Sequence, residues 1–116
     1  MSASAGRPLP EVAWFGALCD DDYEQLGVAD PDLASSWDHC RDIARAADRN
    51  GYDAILLPSG YQLGIDTVAF AAAVAPMLER VAPLVAVRMG ELWVPQLARQ
   101  LATLDHICGG RLSIAY

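Results

Sequence analysis

The feature that most constrains this chain is an alternation of two patterns: short apolar runs bounded by turn residues, and longer stretches with helical spacing. Residues 12–18 (Val-Ala-Trp-Phe-Gly-Ala-Leu) form the first run, held between Pro10 and the acidic Cys19-Asp20-Asp21-Asp22. Shortness and flanking breakers favour a buried strand over a helix. From Trp37 the period becomes three to four. Trp37, Cys40, Ile43, Ala44 and Ala47 share one side, and Asp38, Arg41, Asp42, Arg45, Asp48 and Arg49 cover the other. Ser35 and Ser36 suit the N-cap of this helix, Asn50-Gly51 suits its C-terminal stop, and Asp38–Arg41 and Asp42–Arg45 are expected pairs.

Residues 52–57 read as a second strand ending at Pro58-Ser59-Gly60. Asp66 can cap a second helix over 67–75, apolar nearly all round and therefore expected to pack on more than one side, with its exit at Pro76. Residues 81–87 form a third apolar run, interrupted only by Pro83. A third helix opens at Val94-Pro95, carries Leu97, Leu101, Leu104 and Ile107 on one stripe, and stops at Gly109-Gly110. Residues 112–116 are a fourth strand. The order βαβαβαβ implies an α/β fold with a parallel sheet covered by helices. The polar connection 20–34 is long for a compact domain, a property associated with functional loops.

Length narrows the choice. The chain has 116 residues, whereas a whole (β/α)8 barrel takes roughly 250. The fourth strand runs to the last residue, with no helix to cover it and an unpaired edge beside it. The expected organisation is a flexible leader over 1–10 and half a barrel over 11–116, truncated after the fourth strand. A formal net charge of −7 argues against a nucleic-acid or anionic-membrane surface. Three cysteines (Cys19, Cys40, Cys108) with no C-x-x-C spacing argue against a disulfide framework or a zinc site and for free thiols. The apolar stretch 67–78 is short of the ~20 residues of a membrane span, and 1–10 lacks an apolar signal-peptide core. A cytoplasmic protein is expected.

Four strands alternating with helices fit either half a barrel or a doubly wound sheet. A dinucleotide fold places G-x-G-x-x-G after its first strand, where amides and a helix N-terminus receive pyrophosphate. Here the first strand leads to one glycine and three aspartates, which repel phosphate, and no Gly-Lys-Ser or Gly-Lys-Thr of a P-loop occurs.

Three segments carry a family resemblance. Ala44-Arg45-Ala46-Ala47-Asp48-Arg49-Asn50-Gly51-Tyr52-Asp53 with Leu56-Leu57-Pro58-Ser59-Gly60, then Leu84-Val85-Ala86-Val87-Arg88, then residues 98–106 closing on Gly109-Gly110-Arg111-Leu112 keep a common order and spacing. From Val12 onward the chain resembles the N-terminal half of the luciferase-like flavin-dependent monooxygenases, in their alkanesulfonate monooxygenase branch. The resemblance implies a TIM barrel in which reduced FMN, supplied by a separate flavin reductase, activates oxygen to oxidise a small organic substrate. It also implies a homo-oligomer for the full-length enzymes. The cofactor would sit at the C-terminal ends of the strands, here Leu18-Cys19, Ser59-Gly60, Arg88-Met89 and Tyr116.

Ser59, Gly60 and Arg88 are therefore the expected cofactor-binding residues. Arg88 would face the flavin or an anionic substrate, or else pair with Glu91. Trp14 and Phe15 could line the barrel mouth, though one of them must face the helical layer, and both are expected in the core. Arg45, Arg49, Arg99 and Asp105 lie on helices and are expected in salt bridges or caps, and His39 and His106 in solvated or interhelical positions. Cys19, among aspartates, lacks the electropositive setting of a reactive thiol and reads as structural. No catalytic residue and no metal ligand is expected within these 116 residues. The branch implies an alkanesulfonate as substrate, but sulfonate-oxidising members carry a cysteine soon after the Pro-Ser/Thr-Gly turn and residues 61–65 here have none, which counts against a sulfonate and not against the fold. A non-catalytic half-barrel acting through self- or partner association, and an oxidoreductase of the same fold using the deazaflavin F420, are the alternatives.

Overall fold

The computed structural model describes residues 9–60 and 64–116. The expected leader lies outside the described residues except for its last two positions, as do residues 61–63 of the stretch after the second strand. The elements follow the expected order: β1 (Ala13–Phe15), α1 (Trp37–Arg49), β2 (Ala54–Leu57), α2 (Thr67–Val74), β3 (Ala82–Ala86), α3 (Val94–Ile107) and β4 (Ser113–Ala115). One-turn 3-10 segments cover Pro31–Leu33 and Ala75–Met77.

All neighbouring strands are parallel and stand in sequence order, β1-β2-β3-β4. The register puts Trp14 beside Ile55, Ile55 beside Pro83 and Val85 beside Ile114. Since side chains alternate along a strand, these residues and Leu57 share one face. Ile55, Leu57 and Val85 are fully buried in a single cluster with Cys40, Ala44 and Ala47 of α1, Phe70, Ala71 and Val74 of α2 and Leu104 of α3. Every helix thus packs on the same side of the sheet. A doubly wound sheet divides its helices between both sides, so this is the singly wound arrangement of a barrel wall.

The strands are shorter than the apolar runs, for reasons visible in the backbone. The amide of Gly16 still donates to Leu56 O at 2.8 Å, but that of Leu18 turns back to Gly16 O at 2.9 Å, and this three-residue turn takes the chain off the ladder. Tyr52 belongs to the end of α1: its N–H donates to Ala47 O, that of Gly51 donates to Asp48 O, and Gly51 has φ +79°. This is a Schellman motif, in which a left-handed glycine satisfies the last carbonyls. Gly110 and Gly109 bond back to Asp105 O and His106 O in the same way at the end of α3.

Pro83 sits inside β3 without cost to the ladder. The amide of Ala82 points to β2 (Asp53 O, 2.9 Å) and that of Val87 points to β4 (Ala115 O, 2.8 Å), so alternation aims position 83 toward β4. Pairing with β4 begins only at Leu84↔Ser113. The N–H that proline lacks has no strand to meet there.

Two expectations are corrected. Trp14 and Phe15 are 49% and 46% exposed rather than in the core. β1 is an edge strand whose Trp14 stands edge to face with Tyr52 (centroids 5.3 Å apart) in an open groove, while Phe15 lies on the sheet face that carries no helix. The Asp42–Arg45 pair is replaced by a fork from Arg41, which reaches Asp38 at 2.9 Å and Asp42 at 3.0 Å while standing 5.9 Å from the Trp37 ring centre. Among the described residues no helix is long and apolar enough to cross a membrane.

Candidate functional site

The C-terminal ends of β1, β2 and β3 converge on two adjoining clefts. One, of about 260 Å³, is lined by Ser59, Asp66, Thr67, Arg88 and Glu91 among others. The second, of about 240 Å³, shares Ser59, Asp66, Thr67 and Glu91 and adds Leu18, Cys19, Gly60 and Gly64. A larger groove of about 530 Å³ runs between β1 and α1 past Trp14 and Ile43. It lies on the helical side, bears no carboxylate, guanidinium or thiol, and is remote from the strand ends where α/β folds place their chemistry.

The turn after β2 is held from two sides. Thr67, the first residue of α2, donates its hydroxyl to Pro58 O. Arg88, just past β3, donates Nε (3.1 Å) and a terminal nitrogen (2.8 Å) to Ser59 O, and its Nε stands 4.0 Å from a Glu91 carboxylate oxygen. The start of α2 is tied to the segment just past β1: the amide of Ile65 donates to Leu18 O at 2.9 Å, and a Cβ on Gly64 would run into that same carbonyl. Asp66 caps α2 through Ala69 N at 2.8 Å.

The β1–α1 connection is clasped at its base. Asp20, a non-glycine residue at φ +54°, exchanges hydrogen bonds with Ser35: Asp20 N to Ser35 Oγ (2.8 Å) and Ser35 N to Asp20 Oδ1 (2.7 Å). Ser35 Oγ in turn donates to Ala17 O at 2.7 Å. Ser36, the true N-cap, accepts from His39 N at 3.1 Å, and the His39 ring meets Asp22 Oδ2 at 2.7 Å. His39 is therefore neither free in solvent nor between helices; it ties α1 to this connection. Such a compact loop with joined ends is an Ω-loop.

Of the expected site residues, Ser59, Gly60 and Arg88 do come together at the strand ends. Asp66, Thr67 and Glu91 line the same clefts without having been expected there as site residues. Their only signal in the sequence is position, just after β2 and β3, and Asp66 and Thr67 read equally well as a helix start. Arg45, Arg49, Arg99 and His106 are exposed helical residues, whereas Asp105 accepts from Leu112 N at 3.3 Å and so joins α3 to β4. Burial raises the thiol pKa of Cys19, and Asp21 and Asp20 raise it further against the pull of Arg88, so this cysteine is held as the neutral thiol. Among the described residues no cluster of three or more histidine, cysteine or carboxylate side chains could hold a metal ion.

The donor set at this mouth fits one part of a flavin better than another. A hydroxyl and backbone amides suit the polar edge of an uncharged ring system, with the Arg88 guanidinium engaged on the Ser59 carbonyl behind them. Asp66, Glu91 and the aspartates at 20–22 would repel a phosphate placed among them. These residues therefore suit the ring of such a group better than its phosphate.

Comparison with known proteins agrees with this architecture. The chain is 61% identical over 111 residues to the sulfoquinovose monooxygenase of Novosphingobium aromaticivorans, covering 90% of this chain and 31% of that protein. It is 50% identical over 111 residues to the sulfoquinovose monooxygenase of Agrobacterium fabrum, covering 96% of this chain and 29% of that one. The chain thus spans about a third of the length of these relatives. Among solved structures, EDTA monooxygenase from Chelativorans sp. BNC1 superposes with a TM-score of 0.69 at 21% identity over 90% of this chain and 28% of that one. The oxygenating constituent of 3,6-diketocamphane monooxygenase from Pseudomonas putida, solved with FMN, gives 0.64 at 20% identity over 90% of this chain and 29% of its own. At such identities the likeness concerns the fold. The model of the luciferase-like monooxygenase family matches residues 8–115, nearly the whole of the singly wound half-barrel, and the chain belongs to that family.

Proposed function

We propose that this chain forms the N-terminal half-barrel of a flavin-dependent monooxygenase that uses reduced FMN, delivered by a flavin reductase, and O2 to oxidise an organosulfonate. The observation that carries this reading is the 61% identity to a sulfoquinovose monooxygenase over nearly the whole chain. A sulfonated sugar is favoured over a simple alkanesulfonate, because relatives 61% and 50% identical are named sulfoquinovose monooxygenases.

Within the site, Ser59 and Gly60 bind the ring edge and Arg88 secures them. Asp66 and Glu91 keep phosphate away from this end. The Ω-loop at 20–35 and residues 58–60 form two sides of the mouth and limit entry of water. Bound reduced FMN supplies the electrons for activating O2.

The test is made on the full product of the gene, supplied with a flavin reductase, FMN, O2 and sulfoquinovose. O2-dependent release of sulfite is the expected result. Flavin binding without sulfite release from sulfoquinovose overturns the substrate, and oxidation with F420 but not FMN overturns the cofactor.

A further inference from the structure

We propose that Arg88 is a positioning residue that acts through the Ser59–Gly60 peptide and does not itself contact the ligand. This rests on the reading of the mouth as a flavin site. Two nitrogens of Arg88 donate to the Ser59 carbonyl, at 2.8 and 3.1 Å, while Thr67 holds the preceding carbonyl of Pro58. Two successive peptide planes are thereby fixed.

No peptide bond among the described residues is cis, and a trans peptide carries its C=O and N–H on opposite sides. Arg88 follows β3, so it draws the Ser59 carbonyl toward the β3 side. That turns the Gly60 N–H toward the β1 side, where Leu18, Cys19 and Gly64 line the neighbouring cleft with Gly60. No described residue accepts from the Gly60 N–H. The group it would take is a hydrogen-bond acceptor on the edge of a flat ring, a carbonyl oxygen or ring nitrogen. Glu91, 4.0 Å from Arg88 Nε, offsets the guanidinium charge, so what Arg88 adds is geometry rather than attraction for an anion.

Charge and geometry are separable by substitution. Arg88→Lys keeps the charge but cannot make the two-pronged bond, and Arg88→Met removes both. In the full gene product, both variants are expected to weaken FMN binding about tenfold, the size of one lost hydrogen bond, at low and high salt alike. Crystal structures are expected to show the Ser59–Gly60 peptide rotated. Wild-type affinity in Arg88→Lys beside weak binding in Arg88→Met, or a loss confined to low salt, would mean that charge is what matters and overturns the proposal. Failure of the wild-type protein to bind FMN rejects the flavin reading itself. The peptide plane then decides alone: a rotated plane in Arg88→Lys supports the positioning role, and an unchanged one refutes it.

Discussion

The carboxylate of Asp48, near the end of α1, accepts the backbone N–H of Val81 at 2.9 Å where β3 begins, and also those of Glu79 (3.0 Å) and Arg80 (2.9 Å). One helical side chain thus anchors the loop that feeds the central strand, at the end of the sheet opposite the clefts. Partial burial raises the pKa of Asp48, but the three N–H donors and the charge of Arg80 outweigh it, and the net shift is downward from 3.8.

A group whose pKa is lowered by folding stabilises the fold above its unfolded pKa and loses that contribution as pH falls through the folded value. Asp48→Asn is therefore expected to lower stability by about 1–3 kcal/mol at neutral pH. The gap to wild type should narrow below pH 3.8. Urea denaturation at a series of pH values checks this; a gap that stays constant into acid would show that the ionised form has no special part.

Gly64→Ala tests the seam between the β2–α2 turn and β1. The added Cβ meets the Leu18 carbonyl, which is backbone and cannot swing aside, so the turn itself must lift. The expected cost is about 1–3 kcal/mol. Hydrogen exchange at the Ile65 amide, now bonded to Leu18 O, should accelerate more than exchange at amides of α1.

Arg111 spans three carbonyls: Cys108 (2.8 Å), Val81 (3.2 Å) and Leu78 (3.1 Å). A lysine offers one compact head where the guanidinium offers a planar fork. Arg111→Lys should retain at most one of these bonds and lose roughly 2 kcal/mol, with Arg111→Ala losing more. Thermal unfolding of the two variants gives the ranking, and equal loss in both would show that the fork itself does not matter.

The three cysteines differ in access. Burial pushes the Cys40 thiol up to about 11 and also raises that of Cys108, and both side chains are buried. Cys19 is partly exposed, but its pKa is raised by burial and neighbouring aspartates. A thiol reagent at neutral pH should modify only Cys19 in the folded protein, slowly, and all three in denaturant. Mass spectrometry of the labelled peptides would expose early modification of Cys40 as a failure of this assignment.

Much of the architecture was legible in the residues alone. The 3.6-residue period of α1, a serine cap at Ser35 or Ser36 and the Asn50-Gly51 stop are local properties, decided within one or two turns of chain. So is the strand character within 52–57 and 81–87, where apolar residues, broken in the second only by Pro83, run between turn formers. The strand boundaries were less legible, because a ladder ends where a partner's amide turns away, as Leu18 does toward Gly16. That event belongs to the backbone and leaves no mark in composition.

For the mouth of the barrel the division is sharper. The sequence by itself determined that Ser59, Gly60 and Arg88 stand at the ends of strands, because each directly follows an apolar run. Only the tertiary structure decided that the Arg88 guanidinium ends on the Ser59 carbonyl, that Gly64 lies against Leu18, and that Asp48 collects three amides more than thirty residues away. Local pattern fixes the period and ends of an element. Contacts between elements depend on strand order, register and the side on which every helix packs, and these follow from burying one common apolar face.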